Sequence, residues 1–533
     1  MGPYSVLGRP GSGCTTFLRT ITSNYNSYLG VDGHMSYSGG LTPRDIETRY
    51  RGDVAYIPEE DKHLPYLTVR QTLEFAFRCK QPRSDPGHVD KYVSTLARIF
   101  GISHVLDNIV GDEHIRGISG GERKRLSCVE ALATDALVFA WDGSTRGLDS
   151  AATLDYVKSL RVLTDVGRKA TIVSLYQISE EVWAIMDKVM LLAEGRMIFS
   201  GPIMEAKAYF LELGYECREG VTTADFLTGV TNPWERRFRA GWEGKSPKGA
   251  IALEQAFKQS VHYRNLVQEV DLASREFGVG VTDDRHNPAK GPVSDFRIAT
   301  LTQKGQRTPP MPSYTTSFAM QLVVCSRRQW LYLRNNVFAM GIRLTNTVVN
   351  ALVIGSVFWR QPATLDGAFP RGGLIFFSSL FLGFMQLAEV EAAFRGREII
   401  ERHRNFAFVR PSAVAVARFV VDFTILFLQT IIFVTIVYWM GGMKATVGAF
   451  LTFLLFIYVT TIVFTGLYRM YAAISPAYEV GLRYCTLTVL VFITLSGYTL
   501  SVDTIRTDAP WFGWLSVCAL STLVSHPERG LTS

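Results

Sequence analysis

Apolar residues divide the chain into two regions that meet near residue 336. Before that point short apolar runs alternate with charged stretches, whereas long apolar runs dominate the region that follows. Five of these later runs approach the ~20 residues that a helix needs to cross the hydrocarbon core of a bilayer. They span residues 338–358, 373–390, 419–439, 447–467 and 482–500. The pattern predicts a soluble domain followed by an integral, multi-pass membrane domain.

Basic residues between the apolar runs predict the orientation in the membrane. Arginines are concentrated before the first run, between the second and third, and between the fourth and fifth: Arg327, Arg328, Arg334, Arg395, Arg397, Arg402, Arg404, Arg410, Arg469 and Arg483. Cytosolic loops carry such an excess of positive charge. These loops, and the first region of the chain with them, are therefore expected on the cytosolic side.

The first region shows the alternation of short strands and helices that is typical of an α/β fold. Residues 53–58, 136–141 and 170–175 are three runs of strand length. The first predicts a short strand that leads into a charged loop, and the other two are apolar, as expected of buried parallel strands. Asp142 directly follows the second of these runs, which places its carboxylate at the carboxyl end of a strand. A carboxylate at that place can hold the water shell of a phosphate-bound Mg²⁺.

A glycine-rich turn near the start of the chain predicts a phosphate-binding loop. The sequence Gly-Arg-Pro-Gly-Ser-Gly-Cys-Thr-Thr at 8–16 matches the spacing Gly-x4-Gly-Lys-Ser/Thr except at the lysine. Backbone N–H groups of such a loop, and of the helix after it, bind phosphate oxygens. The candidate nucleotide-binding residues are Gly8, Gly11, Ser12, Gly13, Cys14, Thr15, Thr16 and Asp142, with Thr15 and Asp142 as candidate Mg²⁺ ligands. Cys14 replaces the lysine, and a thiol is mostly neutral at pH 7.

Further short motifs follow this loop in a set order. Ser-Gly-Gly-Glu at 119–122 starts a predicted helix, the segment 145–150 includes Asp149, and Tyr176 follows the run 170–175. Each motif taken alone fits a structural role at least as well as a functional one, because Gly-Gly before charged residues is also an ordinary helix start. Their order on one chain favours a functional interpretation.

These motifs resemble the nucleotide-binding domain of ABC transporters. Together with Trp-Asp-Gly-Ser-Thr-Arg-Gly-Leu-Asp-Ser at 141–150 and Thr-Thr-Ala-Asp-Phe-Leu-Thr at 222–228, they resemble more narrowly the first half of fungal pleiotropic-drug-resistance exporters, the full-length G-type ABC proteins. The resemblance makes 8–16 the Walker A loop, Glu59 the Q-loop position and 118–122 the signature motif. Asp142 then ends Walker B, Asp149 is the D-loop residue, and Tyr176 takes the switch-histidine position. The implied architecture is an α/β P-loop nucleotide-binding domain followed by an all-α polytopic transmembrane domain.

The resemblance implies that the chain's own ATP site hydrolyses poorly. Cys14, Gly143 and Tyr176 stand where a hydrolytic site keeps lysine, glutamate and histidine, and Glu59 replaces a glutamine. Loss of both the cation and the base should slow phosphoryl transfer by orders of magnitude. The family usually has asparagine after the Walker B aspartate, so Gly143 is a departure from its pattern.

In ABC dimers the signature motif of one cassette completes the ATP site of the other. The resemblance therefore assigns Ser119, Gly120, Gly121 and Glu122 to a partner's site in trans. It implies ATP and Mg²⁺ as cofactors. The implied partners are a second ABC half, the lipid bilayer and a hydrophobic small-molecule substrate, with the plasma membrane as the expected location.

The same resemblance divides the chain into segments. Residues 1–229 are the expected nucleotide-binding domain, 230–312 a polar linker, 313–336 an amphipathic connecting helix, and 337–533 a membrane domain with about five spans. Fewer than eight residues precede Gly8, too few for the strands that usually come before this loop, so a fragment truncated at both ends is expected.

The resemblance places a drug cavity along the first, second and fifth spans, with Asn350, Phe377, Phe381 and Phe492 as candidates. Polar groups inside spans, however, more often form contacts between helices than bind ligands.

Charge and cysteine content argue against a nucleic-acid partner, a disulfide framework and a zinc site. The net charge is only +7 and no basic patch is interleaved with aromatic residues, so nucleic acid is not an expected partner. Seven cysteines without a Cys-x-x-Cys pair suggest neither a disulfide framework nor a zinc site.

The leading hypothesis for the function is half of an ATP-driven exporter of xenobiotic or lipophilic compounds. The alternative is a truncated chain that binds nucleotide and transports nothing, and the five apolar runs argue against a soluble P-loop enzyme.

Overall fold

The computed structural model describes residues 3–25, 28–33, 35–37, 41–80, 86–175, 178–276, 313–362 and 364–495. The chain divides into two compact units. The first comprises Met1–Val324 with Arg402–Ala413, and the second comprises Cys325–Glu401 with Val414–Ser533. A short segment from between the predicted second and third spans therefore belongs to the unit that carries the phosphate-binding loop.

The first unit is built on one six-stranded sheet. Its strands are β1 (Tyr4–Gly8), β2 (Val54–Ile57), β3 (Val138–Trp141), β4 (Ala170–Ser174), β5 (Lys188–Ala193) and β6 (Arg196–Pro202). The order across the sheet is β2-β3-β4-β1-β5-β6, and all neighbours are parallel except β5 and β6. The predicted α/β fold is confirmed, and the three runs of strand length form β2, β3 and β4.

Helices surround this sheet, and several begin at side-chain caps that the sequence supplies. They are α1 (Cys14–Ile21), α2 (Pro43–Thr48), α3 (Val69–Lys80), α4 (Pro86–Ile99), α5 (Gly120–Leu132), α6 (Ser150–Asp165), α7 (Glu180–Trp183), α8 (Ile203–Glu212), α9 (Thr223–Gly229), α10 (Ala250–Gln259) and α11 (Val261–Glu276). Ser119 caps α5, Asp149 caps α6 and Thr222 caps α9. Such caps satisfy N–H groups that have no partner within the helix.

Two of the described helices, α10 and α11, fall inside the predicted polar linker. Leu253 and Phe257 of α10 are buried, and the Phe257 ring lies 5.9 Å from the ring of Phe199 on β6. This part of the linker therefore packs on the antiparallel edge of the sheet instead of being fully solvated.

The remaining described α-helices are each at least 18 residues long, and all except the first and the fourth are largely apolar. They are α12 (Phe318–Asn335), α13 (Val337–Val357), α14 (Leu365–Met385), α15 (Ala388–Asn405), α16 (Pro411–Met440), α17 (Val447–Ile474) and α18 (Tyr478–Leu495). Within the described residues, four stretches are long and apolar enough to cross a membrane: Val337–Val357, Asp366–Asn405, Pro411–Met440 and Val447–Ile474. They overlap the first four predicted runs. The fifth run, 482–500, begins in α18 and continues outside the described residues.

Charged groups among these apolar helices are paired within the second unit. Arg469 of α17 donates to Glu389 of α15 at 2.7 Å and also to Asp422 of α16. Arg343 of α13 donates to the side-chain oxygens of Gln386 and Gln429, both at 2.9 Å. Because an unpaired charge is costly in hydrocarbon, these bonds hold the helices in a defined arrangement.

We predict that packing of α6 against the sheet contributes strongly to the stability of the first unit. Leu160 is fully buried, whereas Val162 on the same helix is 59 % exposed. Leu160→Ala should lower the free energy of unfolding by about 2–4 kcal/mol, and the control Val162→Ala by less than about 0.5 kcal/mol. Thermal and urea unfolding followed by tryptophan fluorescence would measure both. Equal losses would contradict this packing.

Candidate nucleotide-binding site

The predicted phosphate-binding loop joins β1 to α1 in a tight turn. Gly11 and Gly13 have φ angles of 84° and 102°, in the left-handed region that side chains other than glycine rarely adopt. A Cβ atom on Gly8 would lie 2.1 Å from the Ser12 Oγ and 2.8 Å from the Leu192 carbonyl oxygen. These positions therefore require glycine. The turn ends at the start of α1, where the first backbone N–H groups have no partner within the helix and can bind an anion.

The side chains at the start of α1 have different surroundings. Thr15 is half-buried and Thr16 is exposed, whereas Cys14 is buried in a cluster with Leu18 and Tyr56. Burial raises the pKa of the Cys14 thiol, and the charge of Asp142 raises it further. Position 14 therefore places a neutral group inside the domain where a P-loop lysine would supply a cation.

Asp142 lies at the carboxyl end of β3 and is 2 % exposed. The Tyr56 hydroxyl donates to its Oδ2 at 2.8 Å, and the Ser174 hydroxyl donates to its Oδ1 at 2.8 Å. Tyr56 in turn accepts from the Arg19 Nε at 3.2 Å, and Ser174 accepts from the Gly143 backbone N–H at 2.7 Å. The sheet order places β2, β3 and β4 side by side, so the ends of these strands bring the three side chains together.

The predicted site residues do not include Arg19, Tyr56 or Ser174. For Tyr56 and Ser174 the available signal was their place near the end of a strand run, since parallel strands end at the same edge of a sheet; no local signal marks Arg19, which lies on α1. That signal becomes usable only when the order of the strands is known. Burial and the neighbouring Asp142 charge also raise the pKa of Tyr56, so its hydroxyl keeps the proton that it donates.

Gly143 and Glu59 occupy one small space beside Asp142. Gly143 has a φ of 52°, and a Cβ atom there would lie 2.9 Å from the Glu59 Cγ. The Glu59 carboxylate forms an ion pair with Arg146. The stem of Glu59 therefore fills the room that a side chain at position 143 would need, and its carboxylate already has a cationic partner.

The predicted signature motif forms the exposed start of α5. Ser119 accepts from the Glu122 backbone N–H at 3.3 Å, and the Glu122 carboxylate accepts from the Ser119 N–H at 2.8 Å, which is a capping box. Ser119 and Gly120 are exposed, Gly121 is half-buried, and a Cβ atom on Gly121 would lie 3.2 Å from a Leu148 methyl group. Asp149 is exposed and accepts from the Ala152 N–H. Tyr176 lies outside the described residues.

Two family models match the chain, and together they cover more than half of it. The ABC transporter model matches residues 3–146, which contain the phosphate-binding loop, the capped start of α5 and Asp142. The ABC-2 type transporter model matches residues 320–524, which contain the long apolar helices. The chain belongs to the ABC transporters. The membrane-domain match and the four apolar stretches make it an integral membrane protein.

Relatives of this ABC transporter chain extend the match over nearly its whole length. It is 41 % identical to the ABC multidrug transporter atrF of Aspergillus fumigatus over 510 residues. This matched region covers 96 % of this chain and 32 % of the relative. The chain is 37 % identical over 537 residues to ABC transporter G family member 11 of Dictyostelium discoideum, covering 99 % and 36 %. ABC multidrug transporter I of Aspergillus fumigatus is 38 % identical, covering 96 % and 34 %. The chain spans about a third of the length of these curated relatives.

The predicted drug-cavity residues of this ABC membrane domain lie in different surroundings. Phe381 stacks on Phe433 with ring centroids 6.0 Å apart, and Phe492 packs on Phe464 at 5.0 Å; the two pairs belong to separate apolar clusters. Phe377 is 41 % exposed. Asn350 donates to the Asn346 carbonyl oxygen at 2.8 Å, as polar residues in spans often do. The assignment of these four residues to a substrate cavity stays a prediction.

The helix that begins at the predicted signature motif also carries a buried carboxylate. Glu130 of α5 is 1 % exposed and pairs with Arg402 at 2.8 Å and with His403 at 3.0 Å. Despite the cost of burial, the Arg402 charge and the His403 hydrogen bond lower the Glu130 pKa. Both partners come from the end of α15, whose segment from Arg402 belongs to the nucleotide-binding unit.

His63 completes this cluster as a neutral side chain. Its Nδ1 lies 3.2 Å from an Arg402 nitrogen, which can only donate, and its Nε2 lies 2.8 Å from the Ser127 Oγ. The Nδ1 therefore accepts and the Nε2 carries the proton. Burial, with the Arg402 charge, lowers the pKa of His63 to about 3.

We predict that Gly8→Ala weakens nucleotide binding by about tenfold or more, because its Cβ atom cannot fit beside Ser12 and Leu192 without moving the loop. Titration of the purified chain with a fluorescent ATP analogue would measure the affinity. Gly244→Ala is the matched control, since a Cβ atom there meets open space. Wild-type affinity in Gly8→Ala would contradict the described loop.

We predict that His63 makes the stability of this unit fall in mild acid. Its folded-state pKa of about 3 lies below the unfolded value of 6.5, so its contribution is complete above pH 6.5 and is lost as pH falls from 6.5 toward 3. The loss approaches about 1.4 kcal/mol per pH unit. His63→Gln should flatten the dependence of the unfolding midpoint between pH 7.5 and 5.5. Parallel pH profiles for the two proteins would exclude this role.

Proposed function

We propose that this chain is the nucleotide-binding and membrane-spanning half of an ATP-driven exporter of hydrophobic compounds. Its own phosphate-binding loop holds ATP and hydrolyses it poorly, and its signature motif completes the ATP site of a partner cassette. The partner is a second ABC half, and the complex lies in the plasma membrane with the cassettes in the cytosol. The word multidrug in the names of two relatives supports a xenobiotic or lipophilic substrate.

The proposal rests on a contrast between the phosphate-binding loop and the start of α5. At the phosphate-binding loop, position 14 holds a buried neutral thiol and position 143 holds a glycine against Glu59. Phosphoryl transfer depends on charge neutralisation and on a positioned base, so such a site favours binding over turnover. At the start of α5, Ser119 and Gly120 are exposed, and the Gly120 N–H group and the small side chains suit the phosphate of a partner-bound nucleotide.

The chain's own residues also suggest how ATP binding acts on the membrane. Closure of two cassettes around ATP would shift the exposed start of α5. Glu130 lies on the same helix and is bonded to Arg402 and His403, which continue along the chain into the membrane helices. A shift of α5 would therefore be passed to the spans through a buried ion cluster whose rupture is costly.

The experiment uses cells that make the complete transporter containing this chain. Gly121→Val should reduce drug efflux and the ATPase activity of isolated membranes by about tenfold or more, because the signature serves the site that turns over. Cys14→Ala should change both by less than about twofold, since position 14 already lacks a cation. Immunoblots of the membranes would control for protein level.

Other outcomes separate the alternatives. Brisk ATP turnover by the purified chain alone, abolished by Asp142→Asn, would contradict the proposed division of labour. Nucleotide binding without efflux in any membrane that contains the chain would favour a chain that binds nucleotide and does not transport.

A further inference from the structure

Asp142 is the centre of a continuous hydrogen-bond network that reaches a cation. From Arg19 the network runs through the Tyr56 hydroxyl to one carboxylate oxygen, at 3.2 and 2.8 Å. From the Gly143 N–H it runs through the Ser174 hydroxyl to the other oxygen, at 2.7 and 2.8 Å. Each hydroxyl uses its proton on Asp142 and accepts from the next donor, so the direction of every bond is fixed.

Arg19 is placed to compensate the Asp142 charge. It lies on α1, the helix that begins with Cys14, and its guanidinium carbon is 5.4 Å from the centre of the Tyr56 ring. A buried carboxylate needs paired charge or several hydrogen bonds, and hydrogen bonds in series strengthen one another. The missing lysine leaves α1 without a cation at position 14, and Arg19 supplies one that reaches Asp142 through a neutral hydroxyl.

The residues at this site fit Mg²⁺ poorly. Magnesium prefers charged carboxylate oxygens and keeps several water ligands. Both Asp142 oxygens are bonded to protein hydroxyls, and the carboxylate is 2 % exposed. Each oxygen keeps a free lone pair, but the enclosure of Asp142 leaves little room for a metal ion and its water ligands, which sets this site apart from the Mg²⁺ assignment of Thr15 and Asp142 made from sequence.

We propose that Tyr56 and Arg19 are positioning residues that neutralise Asp142 internally, so that this site takes nucleoside triphosphate with little dependence on Mg²⁺. The proposal rests on the proposed function, in which this loop binds ATP. It assigns Asp142 a role in holding α1, β2, β3 and β4 together at the site. Cutting the network should leave the carboxylate charge uncompensated and make nucleotide binding depend on the metal.

The test measures the affinity of the purified chain for trinitrophenyl-ATP by fluorescence, once with Mg²⁺ and once with excess EDTA. The ratio of the two dissociation constants should lie below about 2 for the wild type. It should rise to about 5 or more in Tyr56→Phe and Arg19→Leu, because Mg²⁺ then finds an uncompensated carboxylate. Arg19→Lys should return the ratio toward the wild-type value by restoring the charge.

Tyr4→Phe is the matched control. It also removes a tyrosine hydroxyl from the same sheet, but that hydroxyl bonds Ser200 at 2.6 Å. Its ratio should equal that of the wild type, and thermal unfolding of all four variants separates a loss of stability from a change in metal dependence. A purely structural role of Tyr56 would lower the unfolding midpoint and leave the ratio unchanged.

The other outcomes distinguish failure of this inference from failure of the proposed function. A wild-type ratio of about 10 or more, or an unchanged ratio in both Tyr56→Phe and Arg19→Leu, would overturn the inference while nucleotide binding itself remained intact. Absence of binding in both buffers would instead overturn the proposed function of the loop, and the inference with it.

Discussion

The nucleotide-binding unit depends on the burial of one carboxylate at the junction of three strands. Asp142 is almost fully enclosed, and leaving such a group without partners would cost several kcal/mol. The hydroxyls of Tyr56 and Ser174 satisfy it from the strands on either side. The same bonds join the ends of β2, β3 and β4 to one another.

This arrangement explains how a loop that lacks its lysine keeps its shape. The turn from Gly8 to Gly13 is held by backbone conformation and by close packing against Leu192. The thiol at position 14 joins the apolar core, where it packs with Leu18 and Tyr56. Phosphate recognition by backbone N–H groups needs no side-chain charge. The backbone of this loop can therefore present its N–H groups to a phosphate without the lysine.

A second buried carboxylate, Glu130, lies near the other end of α5, the helix that begins at the predicted signature motif. It gathers Arg402 and His403 from a segment that comes much later in the chain, and His63 stays neutral beside them. The paired charges among the membrane helices, centred on Arg469 and Glu389, follow the same rule within the second unit. In both places a buried charge is tolerated because it is paired with opposite charges. Since the partners come from different helices, each cluster also joins several elements.

The sequence by itself determined the class of the fold and the ABC motifs. Glycine spacing predicted the phosphate-binding loop, three runs of strand length predicted β2, β3 and β4, and apolar length predicted the first four membrane spans, because these signals are local and periodic. The tertiary structure decided the partners of Asp142, the pairing of Glu59 with Arg146 and the cluster around Glu130. Tyr56 and Ser174 are 86 and 32 residues from Asp142, and Arg402 is far from Glu130 in sequence. Such contacts follow from strand order and helix packing, which no local pattern of residues encodes.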